Sequence, residues 1–353
     1  MENDWSANAY LKNLKSELSK RDVRIAKRSA LLGNLDFDVY HLHSEPTSWV
    51  SESLLLSTMK LTRLFAILLY CRILGKKVVS TVHDIRPYER GSDRVFNRIF
   101  FNATRGCILR SIDAFVLHSQ SLRKSLPPNI LAQKTTVVCP HPIYEMPGSL
   151  LGFEGARTKL GYPLDKKILL IFGDFRSHKN PSEFLKSLVL IIDNNPAYEA
   201  LSVVIAGKGA EASTKSVPRH EKIEIIDGYI PELELNTLIE ASSWIVLPYS
   251  SVSGSGLVHL AAAFKKPLLL SRLEYFEEIC GNEGVLYFSL NDVSDLRTTL
   301  SSAIALSDAD LATFGARLNK HLGGYHWSDL AAASATLYSE LLQRSVDQAN
   351  RSP

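Results

Sequence analysis

The stretch Ile168-Leu-Leu-Ile-Phe-Gly-Asp-Phe-Arg-Ser-His-Lys-Asn-Pro181 decides the fold. Its first five residues are apolar at every position, so both faces of the extended chain need cover, as in a parallel strand lying between helices. Gly173 ends the run. A short polar turn follows, and Pro181 suits the first turn of a helix, where its missing N–H costs nothing.

The same alternation of apolar strand-length runs and longer helical patterns extends outward from about residue 38 to residue 325. Toward the N-terminus the strand candidates are Val39–His43, Lys77–His83, Ala114–His118 and Thr135–Cys139. Toward the C-terminus they are Ser202–Ala206, Ile223–Ile226, Trp244–Leu247, Pro267–Leu270 and Val285–Phe288. This α/β alternation predicts parallel sheets covered by helices. A chain of 353 residues exceeds the size at which one core keeps growing, so two Rossmann-like, doubly wound sheets are expected. The Pro- and Gly-rich stretch from Cys139 to Lys166 reads as the link between domains at 1–145 and 146–325. A doubly wound domain opens on a central apolar strand. Here the chain goes almost directly into a helix, Tyr10–Lys20, so the first strand of the first sheet is expected to be missing.

Composition narrows the function. With 45% hydrophobic and 22% charged residues the chain is neither disordered nor collagen-like. The greasiest stretch, Leu54–Leu74, is interrupted by Lys60, Arg63 and Arg72, so no membrane span is expected, and residues after Met1 do not read as a signal peptide. A cytoplasmic protein is the expectation. Cys71, Cys107, Cys139 and Cys280 form no C-x-x-C pair, which suggests neither a zinc knuckle nor a disulfide framework. Residues 1–150 carry 21 Lys+Arg against 13 Asp+Glu, while the remainder carries 19 against 24. The basic half is suited to an anionic surface or a phosphate-bearing substrate. No nucleic-acid module or aromatic stacking pattern accompanies it, so no nucleic-acid partner is expected.

Ligands of open α/β sheets bind beyond the carboxyl ends of the strands, so the strand-to-helix loops are the places to look. The loop Pro248-Tyr-Ser-Ser-Val-Ser-Gly-Ser-Gly-Leu257 offers hydroxyls at Ser251, Ser253 and Ser255, small residues at Gly254 and Gly256, and the free N–H groups of a helix start. It reads as a diphosphate cradle or as an ordinary turn with Ser as N-cap. In the loop after Gly173, Arg176 and Lys179 are spaced to reach one anion, or to form a solvated charge cluster. Asp174 is an unfavourable neighbour for phosphate. In the first half, His83, Asp84, Arg86 and Glu89 crowd one loop and can deprotonate a hydroxyl or orient a sugar. His41 and His43, with Glu45 beyond, can line the same place, but no third metal ligand follows by spacing. His118 and His141 read as structural.

Taken together, these elements resemble the GT-B glycosyltransferases, in particular the family-4-like enzymes of bacterial polysaccharide and glycolipid assembly. Val82-His-Asp-Ile-Arg-Pro87 is similar to their sugar-facing first-domain loop. His141-Pro-Ile-Tyr144 is similar to the interdomain segment, and Ile226-Asp-Gly-Tyr-Ile230 to the turn that meets the nucleobase. His326-Trp-Ser-Asp-Leu-Ala, followed by Tyr338, resembles the helix that crosses back onto the first domain, here 326–345.

The resemblance implies two domains facing a cleft and transfer of a hexose from a UDP- or GDP-linked sugar to a glycan or lipid-linked acceptor. Gly173, Arg176, Lys179, Gly228, Tyr229, Ile230, Ser253, Gly254, Ser255, Gly256 and Leu257 would hold the donor. His83, Asp84 and Glu89 would be the catalytic candidates. No metal and no cofactor beyond the donor is implied. Retaining members usually carry carboxylates where this chain has Ser253 and Ala261, and often a basic residue where it has Asp174. These departures leave open a non-catalytic nucleotide-binding subunit of the same fold, or a UDP-sugar epimerase. The cluster Lys12, Lys15, Lys20, Arg21, Arg24, Lys27 and Arg28 suggests peripheral contact with an anionic membrane at the inner face of the plasma membrane, and suits a solvated helix face almost equally.

Overall fold

The computed structural model describes residues 9–26, 37–43, 46–51, 53–87, 95–146, 150–179, 181–193 and 195–351. It divides into two compact units. One comprises Met1–Pro142 together with Tyr325–Pro353, the other Ile143–Gly324.

The first unit opens with α1 (Ala9–Leu18), β1 (Val39–His43), α2 (Leu54–Ile73), β2 (Lys77–Val82), α3 (Val95–Arg110), β3 (Ala114–Leu117), α4 (Gln120–Lys124), α5 (Pro128–Leu131) and β4 (Thr135–Val138). All its strand pairs are parallel, and the described sheet runs β1-β2-β3-β4 in chain order. Right-handed crossovers in that order put α2, α3 and the α4–α5 pair on one face. α2 starts at Ser53, whose hydroxyl accepts from the Leu56 amide. Its Leu61, Leu64, Leu68 and Cys71 pack into the core with Ile108, Leu109 and Phe115. By length and composition α2 is long and apolar enough to cross a membrane, yet those four side chains are built into this unit. The missing-strand expectation concerns residues before Tyr10, most of which lie outside the described residues.

The second unit holds α6 (Gly152–Leu160), β5 (Lys167–Phe172), α7 (Pro181–Ile192), β6 (Leu201–Gly207), α8 (Ala210–Thr214), β7 (Ile223–Asp227), α9 (Glu232–Ala241), β8 (Trp244–Leu247), α10 (Gly256–Ala263), β9 (Leu268–Ser271), α11 (Glu274–Cys280), β10 (Val285–Phe288), α12 (Val293–Ala305) and α13 (Asp308–Leu322). Its sheet is parallel and doubly wound, in the order β10-β9-β8-β5-β6-β7. The chain therefore reverses its direction of travel between β5 and β8. The stretch read as a linker contains α6, because Gly152 begins a helix and Gly161, at φ +69°, ends it. Arg157 on this helix is fully buried and donates to the carbonyls of Ala241, Pro163 and Lys166.

The chain then returns as α14 (Trp327–Arg351), which belongs to the first unit and packs on β2, β4 and α1. Tyr338 meets His41 and Arg344 donates to Thr135. The second face of the first sheet is thus covered by α14 rather than by crossover helices.

Candidate functional site

The switch point of the second sheet lies between the carboxyl ends of β5 and β8, where a crevice for ligands forms in open α/β sheets. The two loops singled out by sequence leave from these strands. A short 3-10 turn, Ser177–Lys179, carries the β5 loop back over its own strand end. A Cβ placed on Gly173 would sit 2.8 Å from Lys179 Nζ and 3.4 Å from Leu257 Cδ1. Gly173, Lys179 and the start of α10 therefore converge on one point. The Ser250 amide and hydroxyl both donate to the His178 carbonyl, at 2.8 and 3.1 Å, and fasten the loops together.

The Lys179 ammonium lies 5.9 Å from the centre of the Tyr249 ring. Burial first, and the Arg176 cation second, pull its pKa down from 10.5 to about 8, against the opposing pull of Asp174. Among the described residues no carboxylate pairs with this ammonium, because Asp174 instead accepts from Arg176 Nε at 3.2 Å. Asp174 is thus the partner that positions the guanidinium. Lys179 is a half-buried cation at the carboxyl end of β5.

The helix start is built differently from the expectation. α10 begins at Gly256 after Ser255, which forms no side-chain cap. The Ser255 amide donates to Tyr275 Oη at 3.1 Å, and its side chain hydrogen-bonds Tyr249. Ser255 is thereby tied to the aromatic floor formed by Tyr249 and Tyr275. Ser253 is buried and Gly254 exposed. A Cβ on Gly256 would meet Tyr144 Oη at 3.1 Å, so this phenol hangs over the first turn of α10. Burial pushes its pKa up to about 12, so it remains a neutral hydroxyl.

The strand ends beside the crevice form a glycine shelf. Gly173, Gly207 and Gly228 follow or end β5, β6 and β7 with φ of +117°, +137° and +114°. A Cβ on Gly207 would lie 2.1 Å from the Gly173 carbonyl oxygen, and the Gly228 amide donates to the Gly207 carbonyl. Positive φ disfavours side chains at all three positions, and at Gly207 the Gly173 carbonyl leaves no room for one, so backbone is presented along the shelf. Tyr229 projects outward, 86% exposed, and Ile230 is half-buried. Gly207 and Tyr275 were not found by sequence reasoning, and Tyr144 was read only as the end of the interdomain segment. The G-x-G spacing of Gly207 and Gly209 was the available signal for the first.

In the first unit, His83 and Asp84 follow β2, and Glu89 lies outside the described residues. His83 does not stand alone. His41 and His43 from β1, His118 after β3 and His141 after β4 join it around Tyr10 of α1. The Tyr10 ring centre is 4.7 Å from that of His83, 5.3 Å from His141, 5.5 Å from His118 and 5.8 Å from His43. Trp327 of α14 closes the group at 5.3 Å. Tyr10 Oη and His118 Nε2 are hydrogen-bonded at 3.0 Å, while His41 bridges Tyr338 Oη at 2.5 Å and Thr81 Oγ1 at 2.9 Å. Burial, reinforced by neighbouring imidazoles, lowers His41 to about 3 and holds His43 and His83 well below 6.5. Burial alone lowers His118, to about 4. These rings are neutral at pH 7. Sequence reasoning placed the histidines at strand ends but missed Tyr10, whose hydrogen-bond partner His118 lies 108 residues away. Among the described residues no three His, Cys, Asp or Glu side chains are arranged to hold a metal ion.

No protein-family profile matches the chain. A curated protein, D-inositol 3-phosphate glycosyltransferase 2 of Catenulispora acidiphila, is 28% identical over 203 residues, which cover 53% of this chain and 46% of that protein. The chain therefore matches about half the length of that relative. Among solved structures, sucrose-phosphate synthase from Thermosynechococcus elongatus aligns with a TM-score of 0.64 at 16% identity, covering 87% of this chain and 74% of that one. A UDP-forming trehalose-phosphate synthase from Burkholderia xenovorans, solved with glucose-6-phosphate, aligns at 0.65 and 12% identity, covering 95% and 77%. The fold is GT-B. In a GT-B chain the second unit's switch point is where Lys179, the glycine shelf and the α10 start have been brought together, each by a different strand end.

Proposed function

We propose that this GT-B protein is a hexosyltransferase that takes a nucleoside-diphosphate sugar, UDP-linked in the first instance, and passes the sugar to a glycan or lipid-linked acceptor in polysaccharide or glycolipid synthesis. The observation that carries the reading is the convergence of the uncompensated Lys179 ammonium with Gly173 and the uncapped start of α10. A diphosphate placed there meets a half-buried cation and the N–H groups of a helix start, with Arg176 at its edge. These groups favour the charge that develops on a departing diphosphate. The glycine shelf, ending at Gly228, gives the nucleobase a flat backbone surface. The UDP-forming neighbour and the glycosyltransferase relative support the donor class.

The acceptor is assigned to the first unit, where Asp84 is the described carboxylate of the His83 loop. His83 itself, neutral and edge-on to Tyr10, is suited to accept a hydrogen bond rather than to carry charge. Activity is expected in the cytoplasm and without added metal, so that transfer persists after chelation; restoration only by magnesium would overturn this. The test of the main reading is a thermal-shift screen over UDP, GDP and their sugars. UDP at about 100 times its dissociation constant adds ~2.7 kcal/mol to the folded state. Lys179→Ala should abolish the shift, and a retained shift sinks the assignment.

A second reading, a non-catalytic nucleotide-binding subunit, draws on Ser253 and on Ala261, which is fully buried and carries no donor-contacting carboxylate. UDP binding without sugar transfer or donor hydrolysis would favour it.

A further inference from the structure

α2 is a helix of two faces, and only one of them is explained by folding. Leu61, Leu64, Leu68 and Cys71 face the core. On the opposite side Leu55, Met59, Thr62, Ala66, Leu69 and Ile73 recur at alternating steps of four and three, which lines them along a single stripe of the helix. Leu55 is 71%, Met59 61%, Leu69 59% and Ile73 72% exposed. The neighbouring α3 adds Val95, Ile99 and Phe100 to the exposed apolar surface. An amphipathic helix of a globular unit normally turns polar residues outward, so an apolar outer stripe running its length needs a partner.

The charges on these two helices identify that partner. α2 and α3 expose Lys60, Arg63, Arg72, Arg98 and Arg110 and contain not one Asp or Glu, while the half-buried Arg105 turns to the Ser125 carbonyl. None of the five exposed cations forms an ion pair among the described residues. Arg63 and Arg72 flank the stripe on opposite sides, where long cationic side chains can lie along apolar surface and reach outward to anions. A second copy of the same helices would bring like charges together across the contact, which opposes self-association. We propose that the α2–α3 face docks on an anionic phospholipid surface, with the stripe in the headgroup–acyl boundary and the cations among the headgroups. Apart from Ala9 the exposed side chains of α1 are polar, Lys20 just beyond its end is paired with Glu17, and the adjacent Arg21 donates to the Ser328 carbonyl, so the N-terminal basic cluster offers no comparable apolar surface. The inference rests on the transferase reading only in making this surface the place where a lipid-linked acceptor is met.

The experiment is vesicle flotation of the full chain at about 0.1 M salt, using phosphatidylcholine vesicles with and without about 30 mol% phosphatidylglycerol. Wild type should float with the anionic vesicles only. Arg63→Glu/Arg72→Glu should weaken binding at least about 25-fold, taking roughly fivefold per cation. Leu55→Ser/Leu69→Ser/Ile73→Ser should abolish it. All three positions are exposed, and a retained thermal shift with UDP reports that each variant is folded. Failure of wild type to float, equal binding to neutral vesicles, or undiminished binding by the serine variant overturns the proposal. So does a concentration-dependent dimer that the serine variant disperses. If UDP shifts no form of the protein, the transferase reading fails while the vesicle result stands by itself.

Discussion

Replacing Lys179 by Met separates a ligand-binding lysine from a structural one, because the two predict opposite signs. The folded chain holds this ammonium at a pKa of about 8 instead of 10.5. A depressed lysine pKa means that the folded state binds the proton less tightly than the unfolded state. The penalty is in full force below pH 8 and is relieved as pH rises from about 8 toward 10.5. Converted directly, the shift corresponds to on the order of 3 kcal/mol withheld from stability at pH 7. Met keeps most of the stem and removes the charge that lies by Gly173. Lys179→Met should therefore raise the melting temperature of the ligand-free protein by several degrees while eliminating the UDP-induced shift. The wild-type affinity for UDP should itself fall about tenfold between pH 7 and pH 9, as the free ammonium loses its proton, and the Met variant should show no such slope. Differential scanning calorimetry with and without UDP, and titration calorimetry across that range, read all three effects. A variant that melts lower and still responds to UDP would refute the reasoning, since Lys179 would then be holding the loop together while phosphate binds elsewhere.

Acid should act on the first unit: His41, His43, His83 and His118 all have folded pKa values below 6.5, so the unfolded chain takes up protons first and stability is lost as pH falls from about 6.5 toward 4. Each ring contributes up to about 1.4 kcal/mol per pH unit in that window, and a urea midpoint unchanged between pH 7 and pH 5 would contradict the buried neutral cluster. Gly207→Ala should cost more than about 2 kcal/mol, because the new methyl meets the Gly173 carbonyl at 2.1 Å, and should depress the melting temperature strongly. Gly228→Ala meets open space, so only its positive φ is strained, by about 1 kcal/mol; it should fold and show its main effect in UDP titrations. Tyr10→Phe should cost about 1 kcal/mol through loss of the His118 hydrogen bond, and Tyr10→Ala about 3–5 kcal/mol through the void left among the rings, both measured by chemical denaturation.

The strands were legible because burial on both faces leaves an uninterrupted apolar signature, and β1 and β8 fall on the residues read for them. The loops of the switch point were legible for the same reason, since each is what remains between a readable strand and a readable helix. The order of the first sheet was not. Doubly wound and sequential sheets need the same kind of strand, and what tells them apart is which helix covers the second face. Here that helix is α14, which arrives from the far end of the chain.

The candidate site divides along the same line between local and distant causes. Arg176 and Asp174 pair across one intervening residue, and their proximity is visible in the sequence even though its meaning is reversed: the carboxylate steadies the guanidinium instead of repelling a ligand. Lys179 turns inward only because the 3-10 turn at Ser177–Lys179 carries it back over Gly173, and that glycine admits it by having no side chain. The histidines show the converse. His83, with His41 and His43 beside it, looked like a polar site in sequence, yet Tyr10 of α1 packs edge-on against it, and burial removes the charge that made it a candidate for acid–base work. A polar residue at the carboxyl end of a strand is therefore a place to look, and what packs against it decides its chemistry. In this chain the same enclosure disarms His83 and makes Lys179 an anion trap, because a histidine escapes burial by shedding a proton near neutrality and a lysine does so only above about pH 8.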